Sequence, residues 1–340
     1  MRIHINARTG LGDSVYFLSI LQSITRVYPD AEISLICWNV GEQLYMTVPA
    51  IKNIINANDV LKQLGAKWTA QTPKAQSFFK ERIGAVDYYI DLQPVPNYGA
   101  ELALVPAEKR VAVNPDPAVS GNYDVIIQTA QDEQIILTYR RMLAEVFGIT
   151  ESAEVGDIPV PQELKDKAAK VVDLISRKGS RRLAGVHPGA KAHEKLWDVF
   201  KWGKVVNYLI DAGFQPVLFG SNLRMSGQIP ILDVPFAEAI HRLSFDRAFN
   251  MAGQTEHVLI LAALIGHLSL YIGLDTGPTH IASVCGIPTL ELFWKQSDHQ
   301  FATWKAYGSS VQCIASDDMS TITAEQVVER LAGWGCLRNG

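Results

Sequence analysis

The chain has 340 residues and a mass of 37.5 kDa, and this length predicts two domains of about 150–170 residues each. Hydrophobic residues make up 48% and charged residues 19% of the sequence, which excludes a disordered, collagen-like or long coiled-coil chain. The formal net charge of −4 lacks the basic excess of duplex-binding proteins, so we expect no nucleic-acid partner.

The sequence shows neither a membrane-spanning pattern nor an export signal. No run approaches the roughly 18 apolar residues that span a bilayer, and the strand-like Met1–Asn6 does not fit a signal peptide. The cysteines lack metal-ligand spacing, so we predict reduced, buried thiols in a cytoplasmic protein. These cysteines are Cys37, Cys285, Cys313 and Cys336.

Strand-like and helix-like segments alternate in the first half, which predicts parallel strands and an α/β protein. A first strand at Arg2–Asn6 precedes a helix whose apolar residues recur every three or four positions as far as Tyr28. Pro29 ends this helix. Further strands are predicted at Ile33–Cys37, Val86–Leu92, Arg110–Val113 and Val125–Ile127.

A second series of the same kind follows residue 150. One of its helices is closed by Gly213, another is capped by Thr255, and a short one is predicted at Pro278–Cys285. The last helix begins with a capping box of Thr323 and Gln326. The predicted strands are Leu183–His187, Val217–Phe219, Leu268–Leu274 and Thr289–Phe293.

The polar, proline-containing stretch Thr150–Pro161 separates the two series and predicts a domain boundary. We therefore predict domains at residues 1–155 and 156–340, both α/β, with a ligand cleft between them.

The loop Arg8–Ser14 lies between the first strand and the first helix, where open parallel sheets bind ligands. Gly10 and Gly12 allow close backbone approach, and the helix N-terminus offers amides to an anion. Asp13 has two interpretations: it caps the helix, or its carboxylate reaches a ligand.

The loop from His187 to Trp197 also leaves a predicted strand and contains two lysines. It is either a loop that binds a diphosphate or a solvated loop. His187 and His193 lack a third ligand at convincing spacing, so we predict no metal site.

A third loop, Gly273–His280, combines Asp275 and Thr276 with a helix start at Pro278. This group suits a polyhydroxylated ligand bearing phosphate, and the alternative is a structural Asp-Thr turn. We interpret Asp317 and its neighbour Asp318 as a solvated loop.

Several stretches follow one another in the order of a known family. They are Arg8–Asp13, Tyr28–Ala31, Val86–Gln93, His187–Ala190 with Lys195 and Trp197, Ala252–Thr255, Asp275–His280 and Gly286–Thr289. Together they resemble glycosyltransferase family 9, the heptosyltransferases of lipopolysaccharide core assembly, over most of the chain.

The resemblance implies a GT-B fold, with two Rossmann-like domains facing each other across a central cleft. The first domain would bind the acceptor and the second the nucleotide sugar, with the C-terminal helix packing back on the first. Transfer would be inverting and independent of metal or other cofactors, with Asp13 as general base. Lys195 would neutralise the leaving diphosphate. The implied donor-binding residues are His187, Gly189, Ala190, Lys195, Gly220, Ser221, Asp275, Thr276, Gly277 and His280. The implied acceptor-binding residues are Arg8 and Gly12.

The implied donor is ADP-heptose, and the implied acceptor is a saccharide or glycolipid at the cytoplasmic face of the inner membrane. The oligomeric state stays open, and a monomer fits the pattern. Two departures affect donor and acceptor identity: the loop Gly220–Arg224 lacks the family's frequent carboxylate, and Asp13–Tyr16 lacks a frequent histidine. A sugar-nucleotide epimerase and a catalytically silent sugar-nucleotide-binding protein are the alternatives.

Overall fold

The structure is a computed structural model that describes residues 1–65, 70–92, 99–151, 155, 158–176, 182–221, 233–255 and 257–334. The chain divides into two compact units, Met1–Val155 and Gly156–Gly340. Each unit is an α/β unit built around a parallel sheet.

The first unit alternates strands and helices from its first residues. Its strands are β1 (Arg2–Ala7), β2 (Glu32–Cys37), β3 (Ile51–Asn56), β4 (Val86–Asp91), β5 (Ala107–Val113) and β6 (Val125–Ile127). Its helices are α1 (Leu11–Val27), α2 (Asn39–Tyr45), α3 (Ala57–Leu64), α4 (Pro73–Arg82), α5 (Gly99–Leu104) and α6 (Ile135–Phe147).

The second unit repeats this alternation. Its strands are β7 (Arg182–His187), β8 (Phe214–Leu218), β9 (Phe249–Asn250), β10 (Leu270–Leu274), β11 (Thr289–Trp294) and β12 (Val311–Ser316). Its helices are α7 (Gln162–Ser176), α8 (Val199–Asp211), α9 (Asp233–Leu243), α10 (Val258–Ile265), α11 (Gly277–Val284), α12 (Asp298–Trp304) and α13 (Ala324–Gly333).

The two sheets share one strand order. Within the described residues the first sheet runs β3-β2-β1-β4-β5-β6 and the second β12-β11-β10-β7-β8-β9, with every pairing parallel. Read from the first strand of each unit, both orders are 3-2-1-4-5-6, the Rossmann arrangement. In this arrangement the connections diverge to opposite sides at the middle pair of strands, and ligands bind at that point of the carboxyl edge. The middle pairs are β1 with β4 and β7 with β10.

The first helix follows its prediction except at one end. Its face with Phe17, Ile20, Leu21 and Ile24 is fully buried, as the apolar spacing indicates. Tyr28 lies outside the helix as the C-cap residue and is 36% exposed, so its assignment to the buried stripe is wrong. Because Pro29 follows, the α conformation is disfavoured at Tyr28. The tyrosine hydroxyl instead donates to Phe147 O at 2.9 Å.

The helix ends of the second unit test three predictions. Gly213 has a φ of +87° just after α8, and the capping box of Thr323 and Gln326 is complete, so both predictions are confirmed. The predicted cap at Thr255 is wrong. His257 caps α10 instead, because its Nδ1 accepts from Leu259 N at 3.2 Å.

All predicted strands are present, with ends displaced by a few residues. Strands β3, β9 and β12 were not predicted, since they are short or carry polar residues that hide their periodicity. Helix α13 buries Val327 and Leu331 in the core of the second unit. Its predicted packing on the first unit stays a prediction.

Three of the cysteines lie in described residues, and all three are free thiols: Cys37, Cys285 and Cys313. Burial raises the pKa of Cys37 to about 12, so its thiol stays protonated at neutral pH. Cys336 lies outside the described residues. Among the helices that the structure describes, none is long and apolar enough to cross a membrane.

Candidate functional site

Most of the predicted site residues follow the middle strands of the two sheets. In the first unit, Arg8 comes directly after β1, and Gly12 and Asp13 are the second and third residues of α1. In the second unit, His187 ends β7, and Asp275 comes directly after β10. The predicted residues therefore lie at the ligand-binding edge that the Rossmann order defines in each unit.

Asp13 is the third residue of α1 and does not cap it. Gly10 occupies the N-cap position, and α1 has no side-chain capping hydrogen bond. The interpretation of Asp13 as a helix cap is therefore wrong, and capping does not consume its carboxylate. The half-buried carboxylate lies in the positive end of the helix dipole. Burial raises the pKa of the Tyr139 hydroxyl far above its usual range, and the charge of Asp13 adds to this rise.

Arg8 belongs to a buried polar network. Its guanidinium pairs with Glu101 at 2.8 Å and donates from Nε to Asn6 Oδ1 at 2.8 Å. Burial would raise the pKa of Glu101, but Arg8 and a hydrogen bond from His4 outweigh it, so the pKa is lowered and the carboxyl stays ionised. The structure thus gives Arg8 a role in holding the loop to the sheet. Acceptor binding by Arg8 and by Gly12, the second residue of α1, stays a prediction.

The network continues to the end of β4. Asp91 accepts from Asn6 Nδ2 at 3.0 Å and from the Tyr123 hydroxyl at 2.8 Å. No local signal marks Glu101 or Tyr123 as partners, because they lie on segments far along the chain. Together these contacts fix the backbone from which the loop before Asp13 departs.

In the second unit Lys195, Asp275 and His280 form one cluster, although 80 residues separate the lysine from the aspartate. Lys195 Nζ lies 2.6 Å from Asp275 Oδ2 and 3.2 Å from the Asp275 carbonyl. His280 Nε2 lies 3.3 Å from the other carboxylate oxygen. Burial would raise the pKa of Asp275, but the bond from His280 and the charge of Lys195 outweigh it and lower the pKa.

The N-terminus of α11 adjoins this cluster. Thr276 is its N-cap residue, and Gly277 with the following proline opens its first turn. The proline has no N–H, and Thr279 N donates to Thr276 O at 3.0 Å, so the amides of Thr276 and Gly277 are the ones that could meet a ligand. Thr276 Oγ1 lies 3.4 Å from Nδ1 of the buried His187. The ends of β7 and β10 therefore meet at a point where amides and an ammonium group could receive a phosphate.

The remaining predicted donor residues surround Asp233, which the sequence analysis missed. Asp233 is the first residue of α9, and its Oδ2 accepts from Ser221 N at 2.8 Å and lies 3.6 Å from His187 Nε2. A Cβ added to Gly189 would overlap the Asp233 carboxylate, and one added to Gly220 would lie 2.8 Å from Asp233 Cβ. Both positions thus require glycine. Ala190, next to Gly189, is buried.

Asp233 thus places a carboxylate beside the start of the loop after β8, although it lies further along the chain. Asn222–Arg224, the rest of that loop, lie outside the described residues. No sequence signal marks Asp233, because its distance from Ser221 depends on the fold of the segment between them. A carboxylate opening a helix resembles any favourable first-turn residue.

Gly189→Ala is expected to lower the free energy of unfolding by about 1–3 kcal/mol, because the methyl group must displace the Asp233 carboxylate. Chemical denaturation measures this loss. Gly121→Ala is the control, since nothing lies within 4 Å of a Cβ added there. Combining Gly189→Ala with Asp233→Ala should restore part of the stability. Unchanged stability in Gly189→Ala alone would contradict the close approach.

Glu291 is a third acidic residue of this region that the sequence analysis missed. A carboxylate oxygen of Asp275, a ring nitrogen of His280 and a carboxylate oxygen of Glu291 lie within 4.8 Å of one another. These residue types bind metals, but the ammonium group of Lys195 already neutralises Asp275. We assign no ion to the cluster, and the absence of a metal stays a prediction.

The structure agrees with the interpretation of Asp317 and Asp318 as part of a solvated loop. Asp318 is exposed and accepts from Ser320 N at 2.8 Å, as a residue that caps a short turn. His193 is also exposed and lies in the turn before Lys195.

A comparison with protein families gives a single clear assignment. The profile of "Glycosyltransferase family 9 (heptosyltransferase)" matches residues 79–331. The chain belongs to this family. The expectation from the sequence motifs is thereby confirmed, and the protein is a glycosyltransferase. The matched region includes the whole Lys195–Asp275–His280 cluster but begins after Asp13.

Similar proteins agree with the assignment. Lipooligosaccharide heptosyltransferase 2 of Haemophilus ducreyi is 24% identical over 304 residues, which cover 85% of this chain and 81% of the relative. A family 9 glycosyltransferase structure from Veillonella parvula has a TM-score of 0.79 at 18% identity, covering 100% of this chain and 98% of that one. The E. coli heptosyltransferase WaaC with ADP has a TM-score of 0.72 at 16% identity, covering 98% and 99%. These likenesses and the two Rossmann sheets confirm the predicted GT-B class.

Proposed function

We propose that this family 9 enzyme is an inverting glycosyltransferase that requires no metal ion and transfers heptose from ADP-heptose to a saccharide or glycolipid of the lipopolysaccharide core. The observation that carries the proposal is the cluster of Lys195, Asp275 and His280 beside the N-terminus of α11. It offers positive charge, amide donors and a carboxylate within one small region.

The cluster suits a sugar diphosphate. In the transition state of glycosyl transfer, negative charge grows on the leaving diphosphate, and fixed positive charge stabilises it. Lys195 and the amides of Thr276 and Gly277 at the start of α11 supply that charge. Asp275 holds the lysine in place and can accept hydroxyl protons of the sugar. Asp233 keeps the loop of Gly189 in position, because its Oδ2 already contacts Ser221 N and His187 Nε2.

Asp13 is the proposed general base. A base must take the proton of the acceptor hydroxyl as that oxygen attacks the anomeric carbon, and a carboxylate not used for capping can do so. Inversion follows from a single displacement, in which the hydroxyl oxygen forms the new bond as the bond to the diphosphate breaks. The proton then resides on Asp13.

The relatives support the nature of both substrates. The similar E. coli heptosyltransferase WaaC has been solved with ADP, and the relative from Haemophilus ducreyi is a lipooligosaccharide heptosyltransferase. An acceptor of this type would bring the enzyme to the cytoplasmic face of the inner membrane.

The decisive experiment incubates the protein with isotope-labelled ADP-heptose and a heptose-deficient lipopolysaccharide core acceptor. Label in the acceptor together with released ADP supports transfer. Label in an isomerised sugar nucleotide would indicate an epimerase instead. Binding of the donor without turnover would indicate a silent sugar-nucleotide-binding protein.

Chelation is expected to leave transfer activity within about twofold of its starting value, because Lys195 supplies the charge that a metal provides elsewhere. Initial rates with and without EDTA measure this. Activity that disappears in EDTA and returns with magnesium or manganese would contradict metal independence.

A further inference from the structure

Glu291 is a fully buried acidic residue below the donor site. It lies on β11, an interior strand of the second sheet, between Gly273 of β10 and Cys313 of β12 in the sheet register. One of its carboxyl oxygens lies within 4.8 Å of a carboxylate oxygen of Asp275 and of a ring nitrogen of His280. A charged group is rarely placed in such a position without a partner, so the carboxyl requires an explanation.

Burial and a neighbouring charge act against ionisation of Glu291, while two hydrogen-bond donors favour it. Ala306 N donates to the carboxyl at 3.0 Å and the weak thiol donor of Cys313 faces it, and both act to lower its pKa. Ionisation would place a second negative charge beside Asp275. Burial first, and the charge of Asp275 second, raise the pKa of Glu291 to about 7.

The other charged groups near Glu291 lie on neighbouring elements. His280 on α11 favours ionisation of Glu291, and Lys305 after α12 faces the Cys313 thiol. Lys195 is already engaged by Asp275 at 2.6 Å. The proton on Glu291 therefore decides whether this region holds one carboxylate charge or two.

We propose that Glu291 is a positioning residue of the donor site: it holds a proton beside Asp275 and His280, so that Asp275 alone opposes the charge of Lys195. Loss of that proton adds negative charge below the diphosphate and weakens its binding. The proposal rests on the proposed donor site, and it adds a dependence on pH to diphosphate affinity.

The test compares the affinity of wild type and Glu291→Gln for ADP by calorimetry at several pH values. Glutamine has the shape of the protonated carboxyl and stays neutral. We expect equal dissociation constants at about pH 5.5 and about tenfold tighter binding by Glu291→Gln at about pH 8.5. Titration of ADP itself affects both proteins alike and cancels in the ratio. Glu325→Gln, at an exposed position of the same unit, should follow wild type.

Thermal unfolding provides an independent measurement. A carboxyl whose pKa rises from 4.5 to about 7 on folding makes the native state less stable as pH rises through this interval. Glu291→Gln should therefore gain stability relative to wild type at alkaline pH. If the variant does not fold, infrared difference spectra of the wild type should show the carbonyl band of a buried carboxylic acid disappearing near pH 7.

The outcomes separate this proposal from the donor-site assignment. Parallel pH profiles in two proteins that both bind ADP would overturn the role of Glu291 alone, as would an infrared spectrum without a titrating acid. Failure of both proteins to bind ADP at every pH would overturn the donor site itself, and the role of Glu291 with it.

Discussion

Replacing Asp13 by asparagine is expected to lower the turnover number at saturating donor by about a hundredfold or more, the usual effect of losing a positioned general base. The side chain keeps its size but can no longer take the acceptor proton. Because Gly10 and not Asp13 occupies the N-cap position, the helix loses only a favourable charge in its first turn, worth about 0.3–1 kcal/mol. Radiolabel transfer measures turnover, and chemical denaturation measures stability.

Asp59→Asn is a matched control for this variant. Asp59 is also the third residue of its helix, α3, in the same unit, and it is exposed beside Lys62. It loses the same type of helix-terminal charge, so any general effect of that loss appears in both variants. Near-normal turnover in Asp13→Asn would remove Asp13 from the catalytic role. An equal decrease of the turnover number in Asp59→Asn would mean that the effect comes from helix electrostatics and not from loss of a base.

Lys195→Ala is expected to weaken binding of both ADP and ADP-heptose about ten- to a hundredfold, or about 1.5–3 kcal/mol, through loss of a charge-assisted phosphate contact. The contact between Lys195 and Asp275 gives a second reason to expect weaker binding of both ligands. Without the ammonium group, the carboxylate of Asp275, whose side chain is only 9% exposed, keeps its charge and repels the diphosphate. Calorimetric titration with each ligand measures the effect.

Asp275→Ala should affect the affinity for ADP and the affinity for ADP-heptose differently. It removes a charge that repels phosphate and releases Lys195, so ADP should bind as tightly as to wild type or more tightly. ADP-heptose should bind more weakly than to wild type, because the carboxylate no longer accepts hydroxyl protons of the sugar. The double variant that combines Lys195→Ala with Asp275→Ala should recover part of the ADP affinity lost in Lys195→Ala, since the unpaired carboxylate is then absent.

Lys204→Ala is the control for this pair, because Lys204 is an exposed lysine of the same unit that pairs with Glu325 at the surface. Thermal unfolding of each variant confirms that the unit is folded. Wild-type affinity for ADP in Lys195→Ala would mean that the loop from His187 to Trp197 is solvated surface. The donor site would then lie elsewhere.

Local sequence patterns were enough to place the candidate site residues along the fold. Buried strands and apolar helical stripes define where each loop begins, and glycine, aspartate and proline next to a strand end are local signals. His187 and Asp275 could therefore be placed at strand ends, and Asp13 near the start of the first helix, without coordinates. The helix ends with backbone signatures, such as Gly213 and the capping box of α13, were also predictable because their hydrogen bonds join near neighbours in the chain.

Which charges meet, by contrast, depends on how the strands assemble into a sheet. Lys195 and Asp275 are 80 residues apart, and their contact depends on the pairing of β7 with β10, which no local pattern specifies. The same holds for Asp233 behind Gly189 and for Glu291, whose pKa depends on neighbours from other elements. Local propensity acts over a few residues, whereas Coulomb interactions and burial depend on distance in space, and strand order sets that distance.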